Sequence, residues 1–524
     1  MKYDCKVPFF KRGDIGGLAY IVPNNIVNYL IIIATLKYVL GWPDEIVFGF
    51  VIPGISVGLF VGCMYYAYMA YKLSKKENRA DVTALPSGVS TPAMFVILYG
   101  VVMPLSYALE DPKVAWSAGM AACFIGGFVE FLGGFVGPWM KKHIPRPALL
   151  GTVAGIGFIW MATQGTFDIL ADPMIGLPVA LVAMVGVFGN YLFPKKIPPL
   201  LIAIVGGVVY SFCLGRANVD FSGVGLYIPN PVTSIQCLIS GFSVVAPYLA
   251  IVIPVEIYNF IETMDNVEGA NANGDNYNVR EAQWADGICT MISALFGSVI
   301  PNTVWLGHVS LKKTDSGLGY SVVSGIILLL AGFLGVFTFL SEMIPTSVYA
   351  ITFLWCAADM VGQAFDVCDR KYYSAIAVAM VPSVADFLYT QVTGAAGLAG
   401  YWTETVSSGL SDFVPEVYQL VVDAGVMWNG VAATKAGAIL IGIILGTIVV
   451  FVIDRKFFSI TLTCLLASFL SFVGMIHSAQ ITLNFHSSWG IGYLIAAAVA
   501  LGLYFMNKKG LILASDGSKL IDEK

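Results

Sequence analysis

The residues best placed to do chemistry fall on one apolar segment. Glu256, Asn259, Glu262, Thr263 and Asn266 recur at steps of three and four, which puts them on one helix face, with Asp265 beside it. Acids inside apolar segments are functional candidates by default, because an uncompensated charge is costly there. Glu262 is the central candidate. Its carboxylate can accept two hydrogen bonds from a planar, N–H-rich ligand, or it can take up and release a proton. The competing role is a solvated acid at a helix end, since Glu268 and the polar run 269–278 follow at once.

Two short motifs echo each other along the chain. Leu85-Pro86-Ser87-Gly88-Val89 and Ile300-Pro301-Asn302-Thr303-Val304 each open an apolar stretch. Proline and small polar residues at such places interrupt a membrane span, and interrupted spans at matching positions of two halves point to a transporter's binding site. Asn302 and Thr303, with Ser87, Gly88 and Ser90 as the counterpart set, stand where free N–H groups of a half-helix face a cavity. His308 follows the second motif and can bond a ligand or relay a proton; an interfacial histidine beside Lys312 fits equally well. Asn24, Asn25 and Asn28 cluster beside Pro23, either lining the site or bonding neighbouring helices. Trp305 and Phe95 are candidates to stack on a planar ligand. Glu130, Asp359 and Asp386 are further intramembrane acids, with packing, helix contacts or coupling as their candidate roles. Lys435 stands close enough to a span end to snorkel.

The elements that must position these groups follow from composition. Of 524 residues, 57% are hydrophobic and 12% charged, and the mean hydropathy is +0.80. Soluble domains carry about 25% charged residues. Repeated apolar runs of roughly 18–25 residues predict a polytopic α-helical membrane protein with about seven, plus seven, plus two spans. The basic clusters test that count. Lys11 and Arg12, Lys72 to Arg79, Lys141 to Arg146, Lys195 and Lys196, Lys312 and Lys313, Arg370 and Lys371, Arg455 and Lys456, and Lys508 and Lys509 all fall on the side of the N-terminus. Acids such as Asp111, Asp172, Glu342 and Asp423 fall on the other. The positive-inside rule then places both termini in the cytoplasm. An odd number of spans per half makes the halves inverted repeats, with the two proline motifs opening spans three and ten.

No phosphate-binding Gly-Lys-Ser/Thr loop, Gly-x-Ser-x-Gly elbow or His-Glu-x-x-His motif is present, so the sequence predicts no enzyme. The nine cysteines have no CxxC spacing and the four histidines are dispersed, which predicts neither a disulfide framework nor a metal site. The polar, basic start is not expected to be a signal peptide, and 393–429 is read as a loop.

Taken together, these motifs resemble the nucleobase–cation symporter 2 family of uracil, xanthine and ascorbate permeases, over roughly 14–454. The clearest pieces are Phe128-Val129-Glu130-Phe131-Leu132-Gly133 leading to Pro147-Ala148-Leu149-Leu150-Gly151, and Ala285-Asp286-Gly287-Ile288-Cys289-Thr290 leading to Gly297 and Pro301-Asn302-Thr303. The resemblance implies an all-α polytopic fold, a 7+7 inverted repeat with short strands in spans three and ten, with a core domain from 14–143 and 243–340 and a gate domain from 144–242 and 341–454. About two extra C-terminal helices at 455–509 lie outside the family pattern, and 510–524 is read as a cytoplasmic tail. The resemblance also implies an elevator-type movement of core against gate, often within a homodimer. The family's base-binding glutamate of span eight falls on Glu262, and its assisting histidine on Asn266. A second family glutamate falls on Gly307 or His308. The expected function is a cation-coupled permease importing a nucleobase or similar planar heterocycle. Substrate contacts are expected from Glu262, Asn266, Ser87, Gly88, Asn302, Thr303, Trp305, His308, Asn25 and Phe95, and coupling from Glu262, Asp265 and His308. No cofactor is expected beyond a proton or sodium ion as coupling ion, and no nucleic-acid partner. The setting is expected to be a bacterial or archaeal cell membrane. The alternative is an anion or organic-acid transporter of the sulfate or bicarbonate type, similar in fold.

Overall fold

The computed structural model describes residues 6–109, 111–189, 191, 193, 199–219, 221, 223–305, 307–398, 415–478 and 482–511. Lys195 and Lys196, residues 399–414 of the expected loop, and 512–524 of the expected tail lie outside the described residues. Seven helices are long and apolar enough to cross a bilayer, and three pairs of helices bent by 94°, 83° and 93° at short breaks bring the number to ten. Four shorter apolar helices, Thr91–Ser106, Pro173–Gly186, Ile202–Cys213 and Phe457–Val473, stand at further expected positions. Together with Val279–Leu295 and the strand segment Asn302–Val304, they occupy every segment position read from hydropathy. Two polar stretches are more ordered than their composition suggests. The run before span eight contains the helix Pro231–Val245, started by Asn230, whose side chain accepts the Val232 N–H at 3.0 Å. The expected loop 393–429 is corrected in part: the preceding helix runs to Leu398, and Pro415–Asp423 is helical.

The described chain divides into two compact units. One comprises Met1–Pro138, Thr166–Ala246 and Val255–Thr352; the other comprises Trp139–Gly165, Pro247–Pro254 and Phe353–Lys524. The site residues all belong to the first, although the end of α4 and the start of α5 extend into the second. In chain order they are α1 (Gly13–Ile33), α2 (Ile52–Glu77), β1 (Ser87–Val89), α3 (Thr91–Ile97), α4 (Pro112–His143), α5 (Leu249–Ala272), α6 (Val279–Leu295) and β2 (Asn302–Val304). β1 and β2 pair antiparallel, with Ser87 opposite Val304, Gly88 opposite Thr303 and Val89 opposite Asn302. Trp305 N–H to Pro86 O at 2.8 Å and Ser90 N–H to Pro301 O at 3.1 Å extend the ladder past both ends. The proline motifs thus meet each other, and each satisfies backbone groups that its own interrupted helix leaves open. Pro92 stands in the first turn of α3, where its missing N–H costs nothing. After β2 the chain turns at Gly307, φ +129°, into the short helix His308–Lys313.

In the second unit, Arg146–Ile156, Tyr373–Leu398 and Ala438–Ile453 pack on one another. The two added helices, Phe457–Val473 and Ser488–Lys508, form a hairpin whose connecting segment caps a break in the chain. His477 donates its backbone N–H to Ala436 O at 2.7 Å and its Nδ1–H to Ala433 O at 3.0 Å, at the break between Trp428–Lys435 and Ala438–Ile453. His477 Nε2 then accepts from the Tyr493 hydroxyl at 3.0 Å.

Candidate functional site

The polar face of α5 grips β2 residue by residue. Asn259 Nδ2 donates to Asn302 O at 3.1 Å, Thr263 Oγ1 lies 3.0 Å from Thr303 Oγ1, and Asn266 Nδ2 donates to Val304 O at 2.8 Å. From α6, Thr290 Oγ1 accepts the Asn302 N–H at 3.0 Å and Asp286 Oδ2 accepts the Val304 N–H at 2.8 Å. β1 is held in the same manner from α1: Asn25 Nδ2 donates to Ser87 O at 3.5 Å and its Oδ1 accepts the Val89 N–H at 3.4 Å. Asn28 Oδ1 accepts from Thr91 Oγ1 at 3.2 Å. These side chains meet the hydrogen-bonding demand of backbone that no helix satisfies. Asn266→Leu leaves the Val304 carbonyl without that partner and is expected to cost about 1–3 kcal/mol, read as lowered thermal stability of the purified protein.

The polar residues of α5 do not all engage the same partners. Asn259, Thr263 and Asn266 are engaged with β2, whereas Tyr258, Glu262 and Asp265 form a neighbouring stripe. α5 runs on to Ala272, so Glu262 lies within the helix and not at its end. Its Oε2 is buried, and the Tyr258 hydroxyl one turn earlier faces the same carboxyl group. Asp265 acts on Glu262 electrostatically from the next turn. Ser90 Oγ and both polar atoms of the Asn302 side chain are buried without a hydrogen bond, and Ser87 Oγ is buried beside the Cys63 thiol. Trp305 is half-buried over Gly88, with its ring 5.4 Å from that of Tyr20; Phe95 is fully buried in α3.

His308 is committed elsewhere than to the strand pair. Its Nε2 lies 3.1 Å from Asp275 Oδ2 and 3.2 Å from Thr83 O. Asp275 is fully buried in the loop after α5 and also receives Arg79 Nη2 at 2.7 Å, Lys312 Nζ at 2.6 Å and the Thr83 N–H at 3.1 Å. The cluster ties the segment entering β1 to the segments flanking α5 and β2. Composition gives no sign of it, because Asp275 sits in a polar turn that reads as solvated. Burial pushes the Asp275 carboxyl upward, but His308, Lys312, the Thr83 N–H and Arg79 outweigh it and hold the group at about 2. A carboxyl depressed in the folded state contributes stability above its unfolded value of about 3.9 and loses it as pH falls through the folded value. Thermal stability should therefore drop between about pH 4 and pH 2, and Asp275→Asn should remove that part of the slope while lowering stability at neutral pH.

Asp286, which entered the sequence reading only within a motif, turns out to be central. Its position as an acid in an apolar helix was the available signal. Thr263 Oγ1 lies 2.8 Å from Asp286 Oδ2 and 3.0 Å from Glu130 Oε1, so α4, α5, α6 and β2 meet at one hydroxyl.

The permease family of the xanthine/uracil type matches residues 82–381, from the entry into β1 to the helix Tyr373–Leu398. The chain belongs to this family, the nucleobase and ascorbate permeases. A search of curated protein sequences gives no match. Among solved structures, the transmembrane domain of the bicarbonate transporter BicA of a cyanobacterium is similar at 16% identity and a TM-score of 0.50, over 72% of this chain and 96% of that one. The murine anion transporter Slc26a9, in its inward-facing state, aligns at 10% identity and a TM-score of 0.46, over 80% of this chain and 73% of that one. The likeness to BicA shows the shared inverted-repeat transmembrane fold and does not bear on cargo. The permease is a membrane transporter.

Proposed function

We propose that the permease is a secondary active transporter that imports a nucleobase or similar planar heterocycle with a proton or sodium ion, by alternating access. The observation that carries this reading is Glu262 Oε2, a buried acceptor with the Tyr258 hydroxyl beside it, on the stripe of α5 next to the one that holds β2. A carboxylate has about four acceptor sites, so this one keeps acceptor capacity that a ligand N–H or a proton can fill. The Trp305 indole, half-buried over Gly88, suits stacking on a ring face. One charge moving through about 100 mV supplies roughly 2.3 kcal/mol, enough to drive uptake against a gradient. The reading includes a bacterial or archaeal cell membrane, both termini in the cytoplasm, and a homodimer.

The anion reading is disfavoured by the acids at the site. Glu262 and Asp265 would repel a permanently charged anion, and an anion site calls for basic side chains or bare helix N-termini. The test is thermal-shift screening of the purified permease against nucleobases, small organic acids and inorganic anions. A ligand at a hundred times its dissociation constant stabilises by about 2.7 kcal/mol. Stabilisation by a nucleobase supports the reading; stabilisation by bicarbonate or sulfate alone overturns it.

A further inference from the structure

The hydroxyl of Thr263 presents a problem in proton counting. Three oxygen atoms surround it: Asp286 Oδ2 at 2.8 Å, Glu130 Oε1 at 3.0 Å and Thr303 Oγ1 at 3.0 Å. A hydroxyl carries one proton to donate and accepts with its lone pairs. If Thr303 donates to it, Thr263 still has a single proton for two carboxyl oxygens. If Thr303 accepts instead, or turns to Val304 O at 3.4 Å, the shortage grows. One carboxyl group must therefore bring a proton of its own. Asp286 Oδ2 already accepts the Val304 N–H at 2.8 Å, which suits the ionised form, so the proton falls to Glu130.

The surroundings agree. Glu130 is fully buried and Asp286 is 1% exposed, and among the described residues neither has a Lys, Arg or His within ion-pairing distance. Two bare carboxylates around one hydroxyl, with no cation, would repel strongly in a dry interior. The Tyr66 hydroxyl, fully buried, faces Asp286 as a donor, which suits an ionised Asp286. The other titratable groups facing the pair are Glu256 and Glu262 of α5, Cys289 of α6 and Cys123 of α4, Glu262 acting on Asp286 alone.

We infer that Glu130 and Asp286 form a proton-binding site distinct from Glu262, occupied in the present arrangement, whose proton holds β2 to α4 and α6 through Thr263. When that proton leaves the Glu130 carboxyl for water, two carboxylates are left around one hydroxyl and the grip on β2 loosens. The site is stated independently of cargo. Its use as the coupling site rests on the reading of the permease as a proton-driven importer.

The purified protein decides the first part without any ligand. Infrared difference spectra against Glu130→Gln are expected to show the loss of a protonated carboxyl band that Glu262→Gln retains. Wild-type thermal stability is expected to fall at alkaline pH as the proton leaves, and Glu130→Gln, whose amide keeps a donor toward Thr263, to flatten that fall. A carboxyl band that is unchanged in Glu130→Gln overturns the proposal, and so does an alkaline profile identical to wild type. In proteoliposomes with labelled uracil as probe, a one-unit inward pH gradient sets about tenfold accumulation for one coupled proton. Glu130→Gln should lose that accumulation while keeping uracil counterflow; gradient-driven accumulation at the wild-type level overturns the coupling role. If the wild type gives no uracil counterflow, the failure lies with uracil as cargo, and the infrared and stability results still decide whether the pair holds a proton.

Discussion

Glu262→Gln is expected to abolish uptake while leaving the fold intact. The substitution keeps the volume of the side chain and its place on α5, one turn from Tyr258, so packing is preserved. It replaces one acceptor oxygen with an N–H₂ donor, which would then face donors on an N–H-rich ligand. Loss of a charge-assisted hydrogen bond costs about 1.5–3 kcal/mol, or roughly ten- to more than a hundred-fold in affinity, and the mismatched donor adds to it. The check is ligand binding by calorimetry beside a thermal unfolding curve. Full gradient-dependent uptake in the variant would place the binding acid elsewhere. Asn266→Leu should show the opposite split, with reduced stability as its first effect, because Asn266 serves the Val304 carbonyl.

The second large effect is expected at Gly287. α4 and α6 cross where Gly127 and Gly287 face each other. A Cβ on Gly287 would stand 2.5 Å from Gly127 O and 2.6 Å from Phe131 N, and a Cβ on Gly127 would stand 2.6 Å from Gly287 O. The obstructing atoms are backbone and cannot swing aside, so the helices would have to separate. Close approach through small residues is a common way for membrane helices to associate. Here that approach brings Glu130, one turn past Gly127, to Asp286, the neighbour of Gly287. Gly287→Val should destabilise the protein by about 3 kcal/mol or more and lower its yield from membranes. Gly269→Ala is the control: nothing lies within 4 Å of a Cβ there, and better helix propensity should stabilise by up to about 1 kcal/mol. Equal effects of the two substitutions would refute the close-crossing account.

The sequence was most informative where the governing physics is local. Helix positions followed from hydropathy, because burying apolar side chains is additive along a segment. The proline motifs were recognisable as breaks because the missing proline N–H and the small polar residues act within a few positions. Glu262 was legible as an unusual acid for the same reason. Asn266 was visible as polar but not as a support of β2, and His308 gave no sign that Asp275 and Thr83 would engage it.

The sequence by itself therefore determined the membrane-spanning class, the matched breaks and the polar character of α5. Only the tertiary structure decided that the breaks pair strand to strand with Gly88 opposite Thr303, that α5 carries two stripes with separate tasks, and that Glu130 and Asp286 converge on one hydroxyl. The reason is physical. Which buried polar atoms find partners depends on directional contacts between segments far apart in the chain, and no local pattern of hydropathy or charge encodes where those contacts will fall.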